Sequence, residues 1–131
     1  MKQVYDYLKK SKTFFLATDE DGQPRVRPFG AVAEFEGKLY ICANNRKDVF
    51  RQMLANPRIE ISATGEDGSW IRVQARAVQD TRREARVKML EENPALVGMY
   101  GPDDGLFEVL SLEGGKASFC SFISEPHIVE F

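Results

Sequence analysis

Gly22-Gln23-Pro24-Arg25-Val26-Arg27-Pro28-Phe29-Gly30-Ala31-Val32-Ala33-Glu34-Phe35-Glu36-Gly37-Lys38-Leu39-Tyr40-Ile41-Cys42-Ala43-Asn44-Asn45-Arg46-Lys47 is the stretch whose reading decides the fold. It sets two arginines, a Pro-Phe-Gly step and a basic helix start within one hairpin's reach. In an extended strand the side-chain period of two puts Arg25 and Arg27 on one cationic face. Pro28 cannot donate to a ladder, so it belongs at a sheet edge or a bulge. Asn45 is expected to cap a helix, with Asp48 standing where a capping-box acid would, so that Arg46 and Lys47 ride on its first turn. A helix start offers unpaired N–H groups, and beside these cations it suits a phosphate monoester. On spacing alone, ordinary surface arginines and lysines are the more common reading.

Outward from this stretch, Val4, Tyr7 and Leu8 predict a short helix over residues 2 to 10, and the apolar run 13 to 18 predicts a strand entering a turn at Asp21-Gly22. The next strand is expected over 24 to 34, with a turn at Glu36-Gly37 and a further strand over 38 to 43. Val49, Phe50, Met53 and Leu54 share one side of a helix over 46 to 55, stopped by Asn56-Pro57. Ile59, Ile61 and Ala63 alternate with polar neighbours, as do Ile71, Val73, Ala75 and Ala77, which predicts two half-buried strands. Trp70 falls on the outward face among arginines, as a subunit contact or a ligand wall. Thr81-Arg82-Arg83-Glu84 has capping-box form and predicts a helix to about Glu92, with Pro94 beginning a second turn. Tyr100 stands in a Gly/Pro loop, either bordering a pocket or anchoring local packing. Two closing strands, near 106 to 113 and 115 to 122, are expected to join in a tight hairpin at Glu113-Gly114-Gly115, before a last strand at Ile128-Val129-Glu130-Phe131.

The 131 residues suit one domain, with a formal net charge of −2 that argues against nucleic-acid binding through bulk positive charge. Cys42 and Cys120 lack metal-ligand spacing and read as reduced, buried thiols. No apolar run reaches the length of a membrane helix and the start has no signal-peptide core, so a cytoplasmic location is expected. His127, the single histidine, has no partner at triad or metal spacing. Nothing supports hydrolysis or phosphoryl transfer: there is no Gly-x-Ser-x-Gly, Walker loop, paired acid site or metal cluster. A catalytic residue is therefore not identifiable, and any redox chemistry has to come from a bound cofactor.

The run Phe15-Leu16-Ala17-Thr18-Asp19, Asp21 to Phe29, Leu39-Tyr40-Ile41-Cys42, Asn45-Arg46-Lys47 and Asn56-Pro57-Arg58-Ile59 resembles the FMN-binding split barrel of the pyridoxamine 5′-phosphate oxidase-like superfamily. The resemblance implies a mainly β (α+β) fold over residues 1 to 131, a split barrel of antiparallel strands with Greek-key character and three to four short helices. It implies FMN as cofactor, with Arg25 or Arg27, Arg46 and Lys47 on the 5′-phosphate, Asn45 assisting, and Pro28 and Phe29 along the ring. It also implies a homodimer with the cofactor at the subunit interface, where Trp70 approaches the neighbouring subunit's flavin. Ala75 stands where the family often has Gly. The activity expected is a flavin oxidoreductase passing electrons or hydride from a donor such as NAD(P)H to a small acceptor. The alternative is a non-catalytic binder of flavin, haem or a deazaflavin for storage or sensing. Pyridoxamine phosphate oxidation itself is not expected, because such members carry a basic C-terminal segment and this chain has no arginine after Arg86.

Overall fold

The computed structural model describes all residues, 1 to 131. Helix α1 (Lys2–Ser11) leads into strand β1 (Phe14–Glu20), which turns back as β2 (Gln23–Phe29). Asp21 and Gly22 both take positive φ, 51° and 89°, the geometry of a two-residue turn whose twist matches its strands. Strands β3 (Val32–Phe35) and β4 (Lys38–Asn44) repeat the device with Glu36 at 51° and Gly37 at 76°. Then come α2 (Asp48–Ala55), β5 (Arg58–Thr64), β6 (Trp70–Asp80), α3 (Arg83–Glu92), a 3-10 turn at Pro94–Leu96, β7 (Phe107–Cys120) and β8 (His127–Glu130).

The strand expected over 24 to 34 is two strands, interrupted at Gly30 and Ala31. This correction closes the fold. The strands are antiparallel in the order β2-β1-β5-β6-β7-β4-β3, with β8 also on β7, so β2 and β3 lie at opposite ends of the sheet. Yet two residues connect them, and three Cα steps span at most about 11 Å. The sheet has to curl until its ends meet. β2 and β3 do not pair there, and the result is a split barrel, mostly antiparallel sheet with three α-helices.

The barrel is filled by Leu16, Ile41, Ile61, Ile71, Val73 and Leu110, each fully buried. Val4 and Leu8 of α1 and Phe50 and Met53 of α2 add to this core. On the other side of β3 and β4, Ala31, Ala33 and Tyr40 pack with Ala85, Met89 and Leu90 of α3 in a second cluster. Val32 joins the first core and Ala33 the second, so β3 is covered on both faces. No helix is long and apolar enough to cross a membrane.

Three further expectations are corrected. The closing strands are one continuous β7, and Gly114-Gly115 is a bulge rather than a hairpin: Gln74 pairs with Lys116 while Arg76 pairs with Glu113. Gly114 takes φ of 60°, and the bend lets the first half of β7 pair with β4 and the second half with β8. The cap of α2 is Lys47, in extended conformation and outside the helix, because Asn45 Nδ2 donates instead to Gly105 O and Glu108 Oε2, each at 2.8 Å. Thr81 does not cap α3 either; the backbone N–H of Arg82 donates to Asp80 Oδ1 at 3.0 Å.

At the bulge, Gly115 and Phe131 exchange both backbone hydrogen bonds, at 2.7 and 2.9 Å, and the Phe131 ring occupies the place a Cβ at 115 would take. Gly115→Ala is expected to displace the ring and cost about 1 to 3 kcal/mol, seen as a lower Tm. The double variant with Phe131→Ala should lose less than the sum of the two single changes, since both remove the same packing.

Candidate functional site

Where the sheet ends meet, a cleft of about 910 Å3 opens. The β2–β3 crossing, Arg27 to Ala31, forms one wall, and Cys42, Ala43 and Asn44 at the end of β4 form its base. The start of α2 contributes Lys47, Asp48 and Val49. The opposite wall is built from the end of α3 and the segment C-terminal to it: Glu92 to Leu96, Met99, Tyr100 and Phe107. The cleft thus carries Arg27 and Lys47, with Asp48, at one end and a far wall that is mostly apolar beyond Glu92 and Asn93.

Arg27 is held by neutral acceptors. Its Nη1 donates to Thr18 Oγ1 and its Nη2 to Gln52 Oε1, both at 2.8 Å, with a longer bond from Nη1 to Leu16 O at 3.3 Å. Neither Arg27 nor Lys47 is ion-paired. Burial, and second the nearby Arg25 charge, push the Arg27 guanidinium below its ordinary value. An arginine starts so high that it stays charged at neutral pH all the same. Arg25 shares the face of Arg27, as its spacing predicts, but is tied to Glu20 at 3.2 Å and does not line the cleft. Hydrogen bonds from Arg51 and Gln52 hold the Glu20 carboxyl below its usual range.

Of the residues singled out by sequence, the cleft brings together Arg27, Pro28, Phe29 and Lys47. Pro28 does stand on an edge strand, β2. Asn45 braces the loop before β7, Arg46 is exposed beside it, and neither lines the cleft. Trp70, at the start of β6, lies outside the cleft with its ring 4.9 Å from that of Phe122. Tyr100 does border the cleft, its hydroxyl 3.4 Å from Asn44 Nδ2 and its ring 5.2 Å from that of Phe107.

Sequence reasoning missed the far wall and its fastening to α1. Tyr5 Oη donates to Glu92 Oε1 at 2.5 Å, and Lys9 Nζ donates to Glu92 O and Asn93 Oδ1, each at 3.0 Å. Glu92 Oε2 accepts from the backbone N–H of Glu34, while Asn93 Nδ2 donates to Val32 O at 2.9 Å. One corner thereby joins α1, α3 and β3. Gln52 was also missed, although a polar residue three after Val49 on the buried side of α2 is a visible signal.

The cleft holds no nucleophile–base pair. Cys42 is partly buried, and burial pushes its thiol up to about 12, so it is neutral there at physiological pH. His127 is exposed, with its ring 6.1 Å from that of Phe119. No group of three or more His, Cys, Asp or Glu is placed to hold a metal ion.

This fold, closed by a two-residue crossing and cleft at the closure, is that of the pyridoxamine 5′-phosphate oxidase family, and the chain belongs to that family, which it matches over residues 1–120. It is similar to a NimC/NimA family protein from Clostridium acetobutylicum, at 47% identity and a TM-score of 0.97, covering 100% of this chain and 92% of that one. More distant structures share the fold. A protein from Mesorhizobium loti described as FAD-binding is 20% identical, with a TM-score of 0.62 over 92% of this chain and 94% of that one. A haem-binding protein from Mycobacterium smegmatis is 15% identical, with a TM-score of 0.67 over 94% of this chain and 57% of that one. No curated protein matches the chain.

The Tyr5–Glu92 bond carries a pH signature. Burial first, then the Glu92 hydrogen bond and charge, push the Tyr5 hydroxyl up to about 12. Tyr40, buried and bonded to Asp80 at 2.6 Å, is pushed up to about 12 as well. A raised tyrosine stabilises the fold below the unfolded value of about 10, and this is lost as pH rises towards 12. In a tyrosinate absorbance titration, Tyr5→Phe should remove one group ionising near 12, and Tyr40→Phe another.

Proposed function

We propose that the cleft binds FMN and that the protein is a flavin oxidoreductase, moving electrons or hydride from a donor such as NAD(P)H to a small acceptor. The observation that carries this is the state of Arg27: a half-buried guanidinium, fixed in place, facing a cleft and left without a carboxylate. With Lys47 at the same end it provides the donors a phosphate dianion needs. Pro28, Phe29, Leu96, Tyr100 and Phe107 supply the apolar surroundings that suit a planar ring. The residues present thus fit FMN. The flavin, when bound, supplies the electron transfer; the chain's share is to bind its tail, bound its ring and limit water at it.

Arg25, Arg46, Asn45 and Trp70 enter this proposal at one remove. Arg25, its charge offset by Glu20, flanks Arg27 on the same strand, Arg46 adds positive potential beside Lys47, and Asn45 holds the turn from which Lys47 extends. Trp70 serves a flavin held by a second copy, the chain being a homodimer with cofactor at the subunit interface. A sedimentation mass near one chain would count against that part.

The second reading is a non-catalytic binder, with flavin, haem or a deazaflavin as ligand. A haem-binding relative in fold gives it a basis. Against haem, the one histidine of the chain does not line the cleft, and although Cys42, Met99 and Tyr100 do, burial keeps the Cys42 thiol protonated rather than a thiolate ligand. The absorption spectrum of the fresh protein separates these: flavin bands support the proposal and a Soret band opposes it. Reoxidation by air or a nitroaromatic after NAD(P)H addition separates enzyme from carrier.

In a flavin fluorescence titration, Lys47→Ala and Arg27→Ala should each weaken FMN binding by about 1.5 to 3 kcal/mol, the loss of one charge-assisted bond. Unchanged affinity in both would remove the phosphate end from the cleft.

A further inference from the structure

The arginines around the cationic end differ in what holds them. Arg25 is bound to Glu20 at 3.2 Å, and Arg51 bridges Glu20 and Asp48 at 3.1 and 3.2 Å, so carboxylates offset both charges. Arg27 instead completes a triangle of neutral groups. Nη2 donates to Gln52 Oε1, Nη1 donates to Thr18 Oγ1, and the Thr18 hydroxyl donates to the same Gln52 oxygen at 2.5 Å.

Thr18 and Gln52 are each 4% exposed, which puts two polar side chains in the apolar interface of α2 with β1. Such burial is costly unless every group is satisfied. Here it is: Gln52 Nε2 donates to Glu20 Oε2 at 3.2 Å, and no buried side-chain polar atom lacks a partner. The surroundings also fix the amide's orientation. A flipped amide would turn its NH2 towards a guanidinium and a carbonyl oxygen towards a carboxylate. The oxygen therefore faces Arg27.

A glutamate at position 52 would hold the guanidinium as firmly, but would cancel its charge. A leucine or methionine would pack as well and hold nothing. Glutamine orients the arginine and leaves it positive.

We propose that Gln52, together with Thr18, is the positioning residue that keeps Arg27 fixed and unneutralised at the cleft wall, and so sets a preference for a phosphorylated ligand over its dephosphorylated analogue. Gln52 does not touch the ligand, and its role rests on the phosphate contact assigned to Arg27 under the proposed function.

The test measures Kd for FMN and for riboflavin with the full chain, as wild type, Gln52→Glu and Gln52→Met. The wild type should prefer FMN. Both variants should lose about tenfold or more in FMN affinity, while riboflavin affinity stays within about twofold. Riboflavin binding reports that the fold and the ring's surroundings are intact, which a stability measurement alone would not. Variants that keep the wild-type preference overturn the role of Gln52 and leave the phosphate contact standing. Equal loss of both ligands makes Gln52 a packing residue and also overturns it. A wild type that binds both ligands alike overturns the phosphate contact itself, and with it the inference.

Discussion

The architecture depends on a length constraint: Gly30 and Ala31 alone carry the chain from one terminal strand of the sheet to the other. An open, flat sheet with that order would set β2 and β3 six strand spacings apart, about 28 Å, which two residues cannot cross. Curling is therefore forced by connectivity before side-chain packing is considered. The apolar faces of β1, β5, β6 and the first half of β7 then find one another inside. What connectivity does not supply is hydrogen bonding between β2 and β3. The seam stays unpaired, and the cleft lies on it.

The charges at this seam are distributed unevenly. Around α2, Glu20 and Asp48 occupy Arg25 and Arg51, whereas Arg27 and Lys47 keep their charge. Coulomb repulsion among cations this close is tolerated where the acids between them are shared and solvent is near. The half-buried member, Arg27, is the costly one, because burial opposes its charged form. A folded chain keeps such a residue at a price in stability, which supports the reading of the cleft proposed above. Fold alone would not justify that conclusion, since one fold hosts many functions.

Much of this was legible in the sequence where one face of a strand is buried and the other wet. Ile59, Ile61 and Ala63, and Ile71 to Ala77, alternate as strands because the barrel interior takes every second residue. The break at Gly30 was not legible for a related reason. Ala31, Val32 and Ala33 are all buried, in two different clusters, so apolar character runs on through the change of partner. Gly114-Gly115 carries the same local signal for a turn and for a bulge, and only the register against β6 tells them apart. At the cleft, Arg27 and Lys47 had been singled out by spacing and charge, and Pro28 and Phe29 by the family resemblance, and the fold brings these four into one lining. Asn45 has the right chemistry for a cap, but Gly105 and Glu108, some sixty residues on, claim its side chain. Glu92 and Asn93 gave no local signal at all, since their partners lie in α1 and β3.

That last corner bears on how the molecule comes into being. Tyr5 and Lys9 grip a carboxylate and an amide that lie 84 to 87 positions further along the chain. Without those partners, α1 is a ten-residue segment too short to hold its own helical form in water. Closing so long a loop is slow, and the far wall of the cleft is not fastened before it closes. The far wall therefore gains its place only once these distant parts of the chain have met, so the cleft is a product of the whole fold rather than of any local segment.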